Sequence, residues 1–325
     1  MLSRKEFWWL LKTASLGFVK HRILNLSSSL AFYTIFSLGP MLLVIIFVSD
    51  IFWGRQAIEG TIYHQISGFV GEGAALQIQE IIKNSSINGN SFIAFVGFLV
   101  LIIAATTVFA EMQSSLNVIW NLKVKAGRPW LKMLKGRLLS FSMVAGLGFL
   151  LLVSLVINGL LEGFMDNLQE MFPDITMVGV YVVNLALTLF VVALLFAIIY
   201  KVLPDAIIQW KHVVVGSLFT AGLFMIGKFC LTVYIDNSDL GSTYGSAGSL
   251  VILLLWIYYS SIILYFGAEF TKVYALKYGG LIKPKEYATT VKVVQIESNK
   301  QNVQQNEKKT SKQETVAEVK ASPIL

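Results

Sequence analysis

The sequence predicts an all-α integral membrane protein. The expected form is a bundle of six transmembrane helices, with an N-terminal interfacial amphipathic helix and a disordered C-terminal tail. Three observations lead there. The 325 residues are 55% hydrophobic and only 14% charged, whereas a domain coated by water carries about 25% charged residues. Six stretches reach the length of about 20 apolar residues that a helix needs to cross hydrocarbon. Between them, Lys and Arg gather in alternate loops.

Residues 1–25 open with "LSRKEFWWLLKTASLGFVKHRI". Lys12 breaks the apolar run and no small-residue cleavage site follows, so a signal peptide is not expected. Phe7, Trp8, Leu10, Leu11, Leu16 and Phe18 among basic residues suit a helix lying in the inner membrane interface. A helix packed on the cytoplasmic face of the bundle is the plainer alternative, and the two are compatible.

The transmembrane domain is expected over 26–275, with spans at about 26–49, 92–111, 138–160, 177–200, 212–235 and 246–271. Pro40 interrupts the first span and is expected to kink it, since proline removes one backbone donor. The long loop 50–91 holds "EGAALQIQEIIKN", whose Ala75, Ile78, Ile81 and Ile82 suit a short amphipathic helix. From 286 to 325 the chain turns to Lys, Gln, Glu and Asn without apolar period, as a disordered tail does.

Orientation follows from charge. Arg4, Lys5, Lys12, Lys20 and Arg22 precede the first span, and Lys123, Lys125, Arg128, Lys132, Lys135 and Arg137 separate the second from the third. By contrast, 161–176 carries Glu162, Asp166, Glu170 and Asp174 with no Lys or Arg. Both termini are therefore expected in the cytoplasm of a bacterial cell, with the chain in the inner membrane.

The same composition excludes much chemistry. One cysteine, Cys230, rules out an internal disulfide and every multi-cysteine zinc site. The three histidines are far apart, and no P-loop, GxSxG or metal motif occurs. No catalytic residue, metal or cofactor is expected. The net charge of +7 is read as topology and contact with anionic lipid heads, so no nucleic-acid partner is expected.

Ionisable groups inside spans are the informative ones, because burying a charge in hydrocarbon costs several kcal/mol. Lys228 lies seven residues short of the fifth span's outer end, about 10 Å deep at 1.5 Å per residue. A similar depth count reaches Asn184 on the fourth span, and Ser249 begins the sixth with Tyr244 above it. These four residues form the candidate site for an anionic group. The competing reading has Lys228 reaching outward to Asp236 or Asp239. On the inner side, Glu111, Glu269, Arg137 and Arg128 suit an ion-pair network, a reading preferred to a gating role.

Four stretches resemble the YihY/BrkB family of bacterial inner-membrane proteins. They are "SSSLAFYTIFSLGPMLL" (27–43), "TTVFAEMQSSLNVIW" (106–120), "VLPDAIIQWKHVVVGSLFTAGLFMIGKF" (202–229) and "YGSAGSLVILLLWIYYSSIILYFGAEFTKVYA" (244–275). The resemblance implies six spans, cytoplasmic termini and a role in the cell envelope. It also brings two labels, a ribonuclease and a serum-resistance virulence factor, and the sequence offers the first no chemistry. The functional expectation is a transporter or flippase-like exporter of an anionic envelope molecule, lipids included, with membrane lipids as surroundings. The alternative is a structural or scaffolding protein that recruits envelope-biogenesis partners, and a membrane-bound nuclease comes third.

Overall fold

The computed structural model describes residues 3–52, 76, 79, 107–124, 173–238, 248–279 and 282–291. Met1–Thr290 form one compact unit and Val291–Leu325 a second. All the contacts below lie within the first unit.

Helix α1 runs Arg4–Lys20. Its first turn is closed by the Ser3 backbone N–H, which donates to Glu6 Oε2 at 2.9 Å. Leu10, Ala14 and Gly17 recur at helical spacing and are buried, while Trp8, Leu16 and Val19 on other faces are exposed. The buried face joins Phe270 and Val273 in one apolar cluster, and the Phe7 ring meets Phe219 and Phe270 edge-on. The helix is thus packed against other helices on one side and leaves tryptophan and aliphatic side chains uncovered on the rest.

A two-residue elbow follows. The His21 N–H donates to the Gly17 carbonyl at 2.9 Å, and Arg22 takes a positive φ of 52°. Helix α2 then runs Ile23–Phe52 and includes Pro40. Helix α3 is described over 107–119, and the turn after it contains Asn121, whose φ is 55°. Asparagine tolerates this left-handed turn better than most residues, and it leads into strand β1, Leu122–Val124.

Helix α4 is Pro173–Val202. Strand β2, Ala206–Ile207, connects it to α5, Trp210–Asp236. Helix α6 is Gly248–Lys277. Strands β3, Lys283–Pro284, and β4, Ala288–Thr290, close the unit. Helix α5 packs against α4 and α6, and α6 packs in addition against α1 and α2. Among the described residues, three helices are long and apolar enough to cross a membrane: Leu185–Val202, Trp210–Ile235 and Leu250–Lys277.

Small residues set the spacing of α5 and α6. A Cβ on Gly216 would stand 2.7 Å from Thr271 Cβ, and one on Gly267 would stand 2.0 Å from Thr220 Oγ1. The helices can approach only because those positions lack a side chain. Tyr200 locks the third member in place. Its buried hydroxyl donates to the Leu264 carbonyl at 2.7 Å and lies 3.2 Å from Thr220 Oγ1. Tyr200, Leu203, Tyr265 and Leu116 belong to the main apolar core.

At the end of the bundle that carries α1, two short antiparallel ladders hold the last segment down. Strand β1 pairs with β4, Leu122 opposite Thr290, and β2 pairs with β3, Ala206 opposite Pro284. The tail expected to be disordered from 286 thus begins with an ordered turn and strand through 290. Two helices also run past the expected span limits. Helix α3 continues to residue 119 rather than ending near 111, and α6 continues to 277 rather than 271. Here Asn117, Glu269 and Lys272 are buried against partners, so the helices carry on. The expected third span, 138–160, lies outside the described residues.

Candidate functional site

Two buried charged centres sit at the polar end, and neither is local in sequence. The first is Asp205, in the Leu203–Pro204–Asp205 turn after α4. Its carboxylate accepts from Gln113 Nε2 at 3.0 Å, Asn117 Nδ2 at 2.8 Å and the Tyr287 hydroxyl at 3.1 Å. Its own N–H donates to Asn117 Oδ1 at 3.0 Å, and its carbonyl accepts the Lys285 N–H at 3.0 Å. One side chain therefore joins α3, the α4–β2 turn and the β3–β4 segment.

Three donors satisfy a buried carboxylate as water would, so its desolvation is offset. Burial, then the nearby Asp205 charge and hydrogen bond, push the Tyr287 hydroxyl up to about 12. The phenol stays protonated at neutral pH and remains a donor. Burial lowers Lys285 from the usual lysine range, with the Asp205 charge opposing that shift. The Lys285 ammonium lies 3.5 Å from the Val202 carbonyl, and the Lys201 ammonium donates to the Ile208 carbonyl. Lys285 thus reaches the last carbonyl of α4, and Lys201 lies in its last turn, the sign that the helix dipole favours.

The second centre is Glu269 on α6. Its Oε2 stands 3.0 Å from His21 Nδ1, and its Oε1 stands 3.7 Å from Lys272 Nζ; the His21 and Glu269 side chains are 8% and 4% exposed. His21 Nε2 lies 3.3 Å from Asn121 Oδ1. Lys272 Nζ donates to the Ile119 carbonyl at 2.6 Å, and the Trp120 indole N–H donates to the Ala268 carbonyl at 3.1 Å. The elbow between α1 and α2, the end of α3 and the last third of α6 thus meet at one carboxylate. Gly17 is required for that meeting, because a Cβ there would fall 2.1 Å from Glu269 Oε1.

The candidates from sequence are distributed differently. Glu269 finds His21 and Lys272 among the described residues, while Arg128 and Arg137 lie outside them. Glu111 is on α3, half-buried, one turn before Ser115. Lys228 is half-buried on α5, Asn184 is a helical residue of α4 and Ser249 of α6. Tyr244 lies outside the described residues.

Register places the three described members along the bundle axis. Tyr200 meets Thr220, and one turn on Phe196 meets Phe224. The next turn brings Val192 level with Lys228. On α6, a Cβ at Gly227 would collide with the Tyr259 hydroxyl, so Lys228 is level with Tyr259. Asn184 is eight residues beyond Val192 and Ser249 ten beyond Tyr259, about 12 and 15 Å at 1.5 Å per residue. Asn184 and Ser249 therefore share a level near the outer end of the bundle, and Lys228 lies more than about 10 Å further in.

A family model described as virulence factor BrkB matches residues 14–289. The chain belongs to that family. The resemblance carried by the four stretches is borne out. Relatives include a UPF0761 membrane protein of Alteromonas mediterranea, 28% identical over 74% of this chain and 79% of its own length. Another, from Verminephrobacter eiseniae, is 30% identical over 75% of this chain, which spans 57% of that relative's length. A third, from Aeromonas salmonicida, is 26% identical over 78% of this chain and 84% of its own. No solved structure matches the chain. Family membership and apolar helices together make this a membrane protein. The Asp205 centre and His21 escaped the sequence reading. The available signal was an Asp between two spans beside Pro204, with amide residues at 113 and 117 where a span was expected to have ended.

Proposed function

We propose that the protein is a non-enzymatic inner-membrane transporter or flippase-like exporter of an anionic envelope molecule, lipids included. The observation that carries the reading is Lys228, a half-buried cation well inside a helix able to span a membrane. A lysine at such depth is costly unless it is paired, serves a pathway or reaches an interface. The axial spacing of Lys228, Asn184 and Ser249 sharpens the reading. A lone phosphate could not touch all three at once, so Lys228 and the outer pair Asn184 and Ser249 serve as two levels for a moving anionic headgroup, with Tyr244 at the outer end. Pro40 and the glycines of α5 and α6 supply the places where helices can shift.

The basic residues near α1 and β1 support a cytoplasmic polar end, with both termini inside. Exposed Trp8 and Trp9 beside Lys5 and Lys12 support contact of α1 with lipid heads. Replacing Lys228 with Met tests the reading in cells lacking the native protein. Complementation should be lost while the variant still reaches the membrane in normal amount. Full complementation by Lys228→Met would end the anion-site idea.

One observation favours the scaffolding alternative. The polar end is pinned by Asp205 and two strand ladders into a fixed platform, the form expected of a docking face. Under that reading, substitutions on the platform surface would abolish complementation and Lys228→Met would not.

A further inference from the structure

The first turn of α5 presents donors to the polar end and carries no acid of its own. Gln209, Trp210 and Lys211 are exposed there. Gln209 caps the helix without a side-chain hydrogen bond. The first bonds inside the helix run from the His212 and Val213 N–H groups to the Gln209 carbonyl, at 3.1 and 3.3 Å. The Trp210 and Lys211 N–H groups stand ahead of them, at the positive end of the helix dipole. Backbone donors and dipole together favour an anion at such an end.

A buried histidine without a partner adjoins this turn. His212 is 2% exposed, yet among the described residues neither Nδ1 nor Nε2 has a hydrogen-bond partner. Its ring packs at a steep angle on the Tyr274 ring of α6, centroids 5.7 Å apart, a contact that satisfies neither nitrogen. Helical side chains lean toward the N-terminus, so a histidine at the third position of α5 leans toward the helix end. In either neutral tautomer one ring nitrogen is a donor. A buried donor left unmet is costly, and a bound anion removes that cost.

The available charge around the turn has one sign. Lys211 is exposed next to His212. Lys201 holds its ammonium 5.3 Å from the centre of the Trp210 ring while donating to the Ile208 carbonyl. The acids of adjoining elements are engaged elsewhere. Glu6 of α1 accepts from the Ser3 N–H and bonds Tyr278, and Asp205 accepts from Gln113, Asn117 and Tyr287. A cation would be repelled here, and an anion drawn in.

We propose that the first turn of α5 binds a phosphate group through Lys211, His212 and the N–H groups of Trp210 and Lys211. A phospholipid headgroup and free phosphate share this chemistry. His212 precedes Lys228 by 16 residues on the same helix, about 24 Å at 1.5 Å per residue, so the two sites are separate. Binding rests on this turn alone, whereas its use as the inner loading point for the anion rests on the transport reading.

The test titrates the purified full-length chain in detergent, by calorimetry, with inorganic phosphate and with dioctanoyl phosphatidic acid. Dioctanoyl phosphatidylcholine gives the blank for partition into detergent. Saturable binding of both ligands makes the phosphate group itself the ligand, and binding of the lipid alone makes it a headgroup. His212→Phe keeps a ring against Tyr274 and removes both nitrogens, and Lys211→Gln removes the charge. Each should weaken binding about tenfold, the scale of one hydrogen bond to a charged group. Absence of saturable binding by either ligand overturns the proposal, as does unchanged affinity in Lys211→Gln or in a folded His212→Phe. Should His212→Phe fail to fold, exposed Lys211→Gln decides alone. If binding behaves as stated while Lys228→Met complements fully, the transport reading fails and the phosphate site stands. If Lys228→Met loses complementation and neither ligand binds, the α5 site alone falls.

Discussion

At Gly216 the α5–α6 contact depends on a missing methyl group. An added Cβ would lie 2.7 Å from Thr271 Cβ, an atom fixed by its own backbone and unable to swing away. Gly222 on the same helix has nothing within 4 Å of its added Cβ. The two positions therefore make an internal comparison. Gly222→Ala should raise stability by about 0.5–1 kcal/mol through helix propensity. Gly216→Ala should lower it by about 1–3 kcal/mol through overpacking. Thermal melts of the purified protein in detergent check both, and equal effects would show that the helices are not held at this spacing. Gly17→Ala belongs to the same scale but acts through charge. The new methyl would displace the Glu269 carboxylate from His21 and Lys272, and breaking a buried pair costs about 3 kcal/mol. The melting temperature should fall well below that of an Ala substitution at exposed Ser15.

Between elements, Asp205 works as a clamp. It holds α3 through Gln113 and Asn117, and the β3–β4 segment through Tyr287 and the Lys285 N–H. Asp205→Ala leaves buried Asn117 and half-buried Gln113 without their acceptor, a loss of about 3 kcal/mol. Tyr287→Phe removes one donor at a partly exposed position and should cost about 1 kcal/mol or less. Limited proteolysis gives the structural readout. Cleavage near 282–290 should speed up strongly in Asp205→Ala and weakly in Tyr287→Phe, whereas equal rates would mean that the ladders alone hold the segment. This clamp also explains what the sequence could and could not disclose. Helices α4, α5 and α6 were legible because an apolar run of more than 20 residues is a local property. The clamp and the Glu269 centre were not, because their hydrogen bonds join residues 88, 148 and 153 positions apart. Nothing near Asp205 in the chain announces its partners. Glu269 was legible as one member of an inner ion-pair network, but not its neighbour His21, far off at the first elbow. Lys228 could be found by depth alone, but its axial offset from Asn184 and Ser249 needed the register of three helices.

For the whole molecule, the charge distribution and the packing make one combined claim. The described end that carries α1, Asp205 and Glu269 is the end near which Lys12, Lys20, Lys123 and Lys211 fall. Basic residues resist translocation across a bacterial inner membrane, so that end should face the cytoplasm. The acidic stretch 161–176, with no Lys or Arg, should then face the opposite side. The chain offers a clean way to check this, because Cys230 is its single cysteine. In a Cys230→Ser background, one new cysteine is placed at a time, as Lys12→Cys or Asp166→Cys. Intact cells with a permeable outer membrane are treated with a maleimide too polar to cross the inner membrane. Asp166→Cys should label in intact cells, and Lys12→Cys should label only after the inner membrane is opened. Labelling of Lys12→Cys from outside would invert the molecule.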